Sequence, residues 1–511
     1  MRLDLLGNPS SGGNCYLLSS DRDTIMLDAG LAWSQDRGIG IDFTVPHLTD
    51  QQMAKISTIA ITHPHEDHIG GLSYILRRLP TAPHIVAGPV TAAIVRNRLG
   101  EARVDATIQT LAPYESFKTP DFRLQTIPVP HSASESMALF IESGGKTIFY
   151  SGDLRGSDET GYGRLPARAL TDLSPVDVLL LEAVRADVDE LDPTLADLKE
   201  GLLAALRRLE GRRIILSAFA SNLTRLQIVI QLAQSVGRHV YLLGRSMRNA
   251  VEMAQEFQRM PRESWTVGPP PKDMSDSKVL ILVAGAQGEP DAGLSRLIRG
   301  HYPVQARRGD GLIMSSTPIP GNEEPFWSLV ELAMQKGVEV ITYRDYLVHI
   351  SGHSTAIELQ RIIRLLRPRW VVPFHGDYYR HTMMRAIGQK AGLKADGFVP
   401  ASNGDRVVLN EAPRFEHRNW PVDSYQLGKG RQRNAVVLSP QVIEERRAML
   451  ASGIVVLRRG GRKRPPECLD CPPEVEEWVT STARDNRQRA DDLRRKLERA
   501  FVSPPAVMEI G

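Results

Sequence analysis

The stretch "THPHEDHIGG" (62–71) packs three histidines and two carboxylates between His63 and His68, in a chain with only 13 histidines among 511 residues. Such a density of lone-pair donors suits a metal centre. The competing reading is a polar surface loop rich in histidine, and only partners elsewhere in the chain can decide between them. His63 and His65 stand two apart on an extended segment, so both rings project the same way. Asp67 and His68 then fall at a turn into a helix. No single ion uses all four comfortably, but two neighbouring ions can share them if further histidines and a bridging carboxylate arrive from other strand ends.

The chain offers such partners. His131 follows "IPVP", Asp153 closes "FYSGD", and His375 closes "VVPFH". Asp28 in "MLDAG" also ends an apolar run and is placed to orient a ligand from behind. Any one of them alone would read as a core or surface residue. Together with an H-x-H-x-D-H run they favour the metal centre.

The elements that must position these residues can be read from periodicity. "NCYLLSS" and "DTIMLDAG" read as paired strands with "SDRD" between them, and "ISTIAIT" as a buried strand leading into the histidine motif. Leu72, Ile75, Leu76 and Leu79 then mark one helical face. "SMALFIES" and "KTIFYSGD" form a hairpin around Gly144–Gly145. From about residue 190, helical stretches such as "LADLKEGLLAALRRLEG" alternate with strands such as "RRIILSAF", "HVYLLG", "KVLILVAG" and "GLIMSS". That alternation argues for a parallel, doubly wound sheet. The tail is mixed, with a basic run (457–466) and a charged helical stretch (482–501).

Composition bounds the function. A chain of this length exceeds one core, and 42% hydrophobic with 24% charged residues is ordinary for a globular protein. A net charge of +3 neither demands nor excludes a polyanionic partner. No apolar run reaches membrane-spanning length and the N-terminus lacks a signal-peptide pattern, so the expectation is a cytoplasmic protein without a membrane partner. Three cysteines are too few for a disulfide framework. Cys468 and Cys471 form one C-x-x-C, half of a structural zinc site, and their role stays open; Cys15 reads as a small buried hydrophobe.

The motif, with Asp28, His131 and Asp153, resembles the metallo-β-lactamase superfamily. The α/β block between Asp153 and His375 resembles the insertion of the β-CASP nucleases, with Glu182, His353 and His375 at its three further motifs. The wording "SAFASNLTRLQ", "GRSM", "AGAQGEP", "STPIPGNE", "HISGHS" and "VPFHGDY" is similar to the ribonuclease J family, in order from residue 1 to about 410. Pro64 stands where the family usually has Gly, Glu182 replaces Asp, and the tail is shorter and more divergent.

The resemblance implies an α/β fold: a metallo-β-lactamase αββα sandwich (1–190 and 346–420), an inserted doubly wound β-CASP domain (191–345), and a linker with a small α/β C-terminal domain (421–511). It implies two Zn²⁺ per chain, with Mn²⁺ also accommodated by such donors. One would be held by His63, His65 and His131, the other by Asp67 and His68, with Asp153 bridging and His375 completing the set. It further implies hydrolysis of single-stranded RNA, with 5′→3′ exonuclease action favouring a 5′-monophosphate, endonuclease activity, and roles in rRNA processing and mRNA decay. Asp67, Glu182 and His353 would be catalytic, and Ser221, Asn222, His349, Ile350, Ser351, Gly352 and His353 would contact substrate. A homodimer or homotetramer and a place in an RNA-degradation complex fit the same reading. The alternatives are a DNA-directed β-CASP nuclease, against which His375 speaks, and a non-catalytic RNA-binding subunit, against which the full ligand set speaks.

Overall fold

Alternation along three strands decides the architecture. In Met137–Ser143, Lys146–Tyr150 and Val178–Glu182, the residues Leu139, Ile141, Ile148, Tyr150, Val178 and Leu180 enter one core. Their neighbours Ala138, Phe140, Phe149, Leu179 and Leu181 enter another, as the two-residue period of a pleated strand requires. The first core is closed by Leu3, Leu5, Leu18, Ile25 and Leu27 from a second sheet, and the other by Leu359, Ile362, Met384 and Ile387 from the helices Ala356–Leu366 and Tyr378–Lys390. Two sheets thus face each other, and the outer face of one carries helices. This is the sandwich expected from the sequence.

The computed structural model describes all residues except 8–12, 35–39, 157–162, 258–264, 290–291, 320, 428–434, 453–456, 459–466 and 469–511. Met1–Leu31 with Leu48–Trp420 form one compact unit; Ala32–His47 and Pro421–Gly511 form a second. Within the first unit, Lys146–Tyr150, Val178–Glu182 and Trp370–Phe374 run parallel, with Leu180 opposite Tyr150 and Val372. In the facing sheet, Thr24–Leu27, Ile56–Ile61 and His84–Ala87 also run parallel, with Ala60 opposite Leu27 and Val86. Within each parallel set, the strands therefore end together.

The block from 214 to 341 forms its own six-stranded sheet, ordered Trp265–Val267, His239–Leu243, Val279–Val283, Ile214–Ser217, Gly311–Met314 and Glu339–Ile341. Every pairing in it is parallel. Ile214, Leu216, Leu280 and Leu282 pack against the helices Leu195–Arg208, Leu223–Ser235 and Arg245–Glu256. Ile215, Ile281, Val283 and Met314 pack against Gly293–Arg299 and Glu323–Gln335 on the other face. Both faces are covered, which is why these strands read as continuous apolar runs rather than alternating ones.

One expected element differs. The stripe from Leu72 to Leu79 suggested a helix of two turns, but the helix is Leu72–Leu76, with Arg77 as its C-cap, preceded by a separate turn Glu66–Ile69. Beyond Leu76 the bonds tighten to three-residue turns, Arg78 N–H donating to Ile75 O at 2.9 Å and Leu79 N–H to Leu76 O at 3.3 Å, so the chain turns out of the helix while Leu79 keeps its place in the stripe.

In the second unit, Phe43–Pro46 pairs with Val422–Leu427, which pairs with Ala435–Leu438, and Phe43 stacks on Tyr425 with ring centroids 5.1 Å apart. Cys468 lies in the short strand Glu467–Cys468. Cys471, nearly all of the basic run 457–466, and the charged stretch 482–501 lie outside the described residues. No helix among the described residues is long and apolar enough to cross a membrane. Leu282 is fully buried in a central strand of the parallel sheet. Leu282→Ala is expected to cost about 2–5 kcal/mol, read as a lowered urea midpoint of unfolding.

Candidate metal centre

Strand ends bring the predicted ligands together. Backbone contacts first dock the motif: Asn14 N–H donates to Asp67 O at 2.7 Å and Ala29 N–H to His68 O at 2.7 Å. A Cβ on Gly30 would lie 1.8 Å from Asp67 O, so only glycine lets these chains approach so closely.

Among the described residues three candidate groups share Asp153; the third joins it to Glu182, His353 and His375, and the other two hold the motif histidines. His63, His65, His131 and Asp153 form the first, and Asp67, His68, His375 and Asp153 the second; within each, the ligand atoms lie within 4.8 Å of one another. In the first, His63 Nε2 is 3.1 Å from His65 Nδ1, which is 3.2 Å from His131 Nε2. Burial holds His63 and His131 well below the usual histidine pKa and brings His65 to about 4, so the rings favour the neutral form, in which each keeps a lone pair on one nitrogen. Nitrogens about 2.0–2.1 Å from a tetrahedral ion would stand about 3.3 Å apart. The spacing of the donor set therefore fits a cation.

The second group mixes charges. Asp67 Oδ2 lies 3.2 Å from His375 Nε2, and His68 Nε2 lies 3.3 Å from Asp153 Oδ2. Burial opposes charge on His375, but Asp153 and Asp67 outweigh it and raise its pKa to about 10; the same carboxylates and Asp28 raise His68. Burial opposes ionisation of Asp67 and Asp153 too, yet neighbouring histidines hold both below the usual carboxylate range. Asp153 Oδ2 is also 3.5 Å from His63 Nε2 and 3.7 Å from His131 Nε2, so one carboxylate faces both groups.

Three of the rings are oriented from behind, which fixes the nitrogen each presents. His131 Nδ1–H donates to Gly352 O at 2.8 Å. His68 Nδ1–H donates to Asp28 Oδ2 at 2.8 Å. Asp28, fully buried, also accepts from Thr62 N–H at 2.8 Å and Tyr150 OH at 2.7 Å. His353 Nδ1–H donates to Glu182 Oε2 at 2.8 Å, and Glu182 Oε1 accepts from Leu154 N–H at 3.0 Å. Burial opposes charge on His353, but Glu182 and Asp153 outweigh it and raise its pKa. Its ring centroid lies 5.2 Å from that of His131 and 5.4 Å from that of His375, beside both groups.

The residues expected to meet substrate have varied settings. Asn222 is buried and caps the helix Leu223–Ser235, its Oδ1 accepting from Arg225 N–H at 2.9 Å. Ser221 lines a small crevice with Pro64, Ser134 and Met253. Burial and then Arg225 lower the His349 pKa to about 3, leaving a neutral ring. The Ile350 side chain is in the core of the parallel sheet, so only its backbone could meet a ligand. Ser351 and Gly352 bring the loop against His131; a Cβ on Gly352 would lie 2.7 Å from that ring.

Sequence reasoning missed Asn14, Thr62, Tyr150, Arg155, Arg185 and Asp192. The Asn14 amide nitrogen lies 2.8 Å from His68 Nε2 and 3.3 Å from Asp67 Oδ2. Thr62 and Tyr150 stand at strand ends, where a signal existed; the other three do not advertise themselves by spacing.

Comparison with known proteins adds three matching family models. The Beta-lactamase superfamily domain matches residues 23–217; the Ribonuclease J, beta-CASP domain matches 211–332; the Zn-dependent metallo-hydrolase RNA specificity domain matches 337–396. The chain is 30% identical to ribonuclease J of Mycoplasma pneumoniae over 446 residues, covering 82% of this chain and 78% of the relative. It is 28% identical to ribonuclease J 1 of Streptococcus pyogenes over 475 residues, 88% of this chain and 84% of the relative. A crystal structure of a protein of unknown function from Enterococcus faecalis shares the fold, with TM-score 0.56, 17% identity, and 80% and 99% of the two chains covered. The donor groups and the matching families together support a metal cofactor.

Asp153→Asn keeps the side-chain volume but removes the charge common to both groups, and is expected to abolish stoichiometric metal binding. Asp28→Asn, one step behind the ligands, should weaken affinity by about 10–100-fold. Metal analysis after dialysis against graded chelator checks both.

Proposed function

This chain belongs to the ribonuclease J family, and from that premise we propose that it hydrolyses single-stranded RNA with two Zn²⁺, or Mn²⁺, held by the residues gathered around Asp153. The proposed action is 5′→3′ exonucleolytic from a 5′-monophosphate end, with endonuclease activity besides, in rRNA processing and mRNA decay. A cytoplasmic homodimer or homotetramer, working within an RNA-degradation complex, completes the proposal. The observation that carries the metal-dependent reading is the convergence of His63, His65 and His131, with ring nitrogens 3.1–3.2 Å apart, beside the shared Asp153.

Bound divalent ions would neutralise charge developing on the phosphoryl oxygens and lower the pKa of an attacking water. The protein's own groups do the rest. Asp67 accepts a proton from the attacking water, a role assigned by family resemblance. His353, oriented through Nδ1 by Glu182, offers Nε2 to the leaving 3′-oxygen and hands it a proton as the P–O3′ bond breaks. His131 and His68 are held in single ring orientations by Gly352 O and Asp28, so their ligand nitrogens need little rearrangement. Water adds to phosphorus and the 3′-oxygen leaves, so the shortened chain again carries a 5′-monophosphate. The favoured end is regenerated at every step, a chemistry suited to stepwise exonucleolysis.

The end preference is assigned to Ser221 and the backbone of 349–353. Ser221 and Asn222 open the helix Leu223–Ser235, whose N-terminal N–H groups favour an anion.

Labelled single-stranded RNA bearing a 5′-monophosphate or a 5′-hydroxyl, and a DNA of the same sequence, test the proposal. The monophosphorylated RNA should be degraded fastest and the DNA not at all. His63→Ala should abolish turnover, and Ser221→Ala should narrow the preference between the two RNA ends roughly tenfold, the worth of about one hydrogen bond to a charged group. Undiminished cleavage by metal-free His63→Ala protein would refute the mechanism.

A further inference from the structure

Three successive carbonyls of the loop 351–353 are taken by side chains from three separate segments. Arg155 Nη1 donates to Ser351 O at 3.2 Å, His131 Nδ1 to Gly352 O at 2.8 Å, and Arg185 Nη1 to His353 O at 3.5 Å. Arg155 and Arg185 also converge on one acid. Asp192 makes a short ion pair with Arg185 and lies 3.4 Å from Arg155. Arg155 pairs further with Glu358 at 3.1 Å, whose other oxygen accepts from Thr355 N–H at 3.2 Å, at the head of the helix Ala356–Leu366.

The side chains of Arg155, Asp192 and Glu358 are 2%, 7% and 3% exposed. Ion pairs taken out of water add little net stability compared with apolar residues of equal volume. What they do supply is fixed geometry, and here the geometry lies directly over the metal ligands. A planar trans peptide turns the next N–H opposite to the carbonyl. Holding Ser351 O against Arg155 therefore turns the Gly352 N–H the other way. The His353 N–H is in turn held by Ser351 Oγ at 3.1 Å. Asp192 lies between Glu182 and the helix Leu195–Arg208, on the way into the parallel sheet, while 342–355 is the way out. The two crossings also touch directly, with Ala356 N–H donating to Val188 O at 2.9 Å.

We infer that Asp192 is a positioning residue: through Arg155 and Arg185 it holds the carbonyls of Ser351 and His353, so that Gly352 O stays against His131 and the His353 ring stays beside the metal ligands. The inference rests on the ribonuclease reading for its kinetic consequence alone; its structural consequence concerns the His131 ligand itself.

The experiment compares wild type, Asp192→Ala, Asp192→Asn, Arg185→Ala and a control, Asp310→Ala, which breaks the buried Arg213–Asp310 pair (2.6 Å) inside the parallel-sheet block. Three quantities are measured on the full chain: the visible spectrum after cobalt(II) loading, kcat and KM on 5′-monophosphorylated RNA, and the melting temperature. Asp192→Ala should change the cobalt spectrum and lower kcat by about 10–100-fold, with KM little changed. Asp192→Asn, which still accepts a guanidinium hydrogen bond, should recover most of both; Arg185→Ala, which removes the link from Asp192 to His353 O at a part-exposed side chain, should lower kcat in the same sense and carries the test if Asp192→Ala does not fold. Asp310→Ala should lower the melting temperature while leaving spectrum and kcat as in wild type. Spectra and kcat that merely track melting temperature, or an Asp192→Ala protein indistinguishable from Asp310→Ala, would overturn the inference. If wild type cleaves no RNA, the ribonuclease reading fails by itself, and the cobalt spectra still decide the role of Asp192.

Discussion

Everything in the centre depends on three imidazoles and one carboxylate crowded together at strand ends. His63, His65 and His131 place their ligand atoms 3.1–3.2 Å apart, and burial keeps the rings neutral. Each neutral ring carries a single N–H, and that of His131 is given to Gly352 O, so a cation held among the three would accept the lone pairs that remain. Asp153 supplies the negative charge that such an ion needs, and supplies it to both groups at once.

Parallel pairing is what delivers these groups to one place. In a parallel set, strands end together, and ligands of open α/β sheets collect beyond their carboxyl ends. Asp153, Glu182 and His375 lie at or just beyond the ends of three adjacent parallel strands, and Asp28 and His63 just beyond two in the facing sheet. Asp28 then binds across the sandwich to Tyr150 OH, and locally to Thr62 and His68. That single buried carboxylate registers one sheet against the other, so the position of the second ligand group is set by packing rather than by loop flexibility.

The residues that gather around Asp153 were legible because His131, Asp153 and His375 stand just beyond apolar runs and add to a histidine-rich motif that is itself conspicuous. The fold was legible too: two-residue alternation in 137–150 and unbroken apolar strands at 214–217 and 279–283 report half-covered and fully covered sheets. The early end of the helix at Leu76 was not legible, because the apolar stripe runs on to Leu79 while the backbone tightens into three-residue turns, with Arg78 N–H on Ile75 O and Leu79 N–H on Leu76 O. Nor was the Arg155–Asp192–Arg185 cluster. Charged residues outside any motif read as solvated faces, and nothing in their spacing says that they end up against the backbone of a loop about 200 residues away. Ile350 illustrates the opposite limit: family wording assigns the segment, but one-dimensional reading cannot separate a side chain in the core from a backbone at the surface.

Pro64 shows how a departure from family wording still obeys the same physics. Proline restricts the residue before it to extended backbone, which keeps His63 in the strand-like conformation that aims its ring beside that of His65. His65 itself is extended, with φ −71° and ψ 153°, and serves as N-cap of the turn carrying Asp67 and His68. The ring of Pro64 also forms part of the crevice that Ser221 and Met253 line. A glycine would leave that wall open and His63 freer to wander. In this chain, one residue between two of the gathered histidines therefore stiffens the first candidate group and lines the same crevice as Ser221, the residue proposed to choose the RNA end.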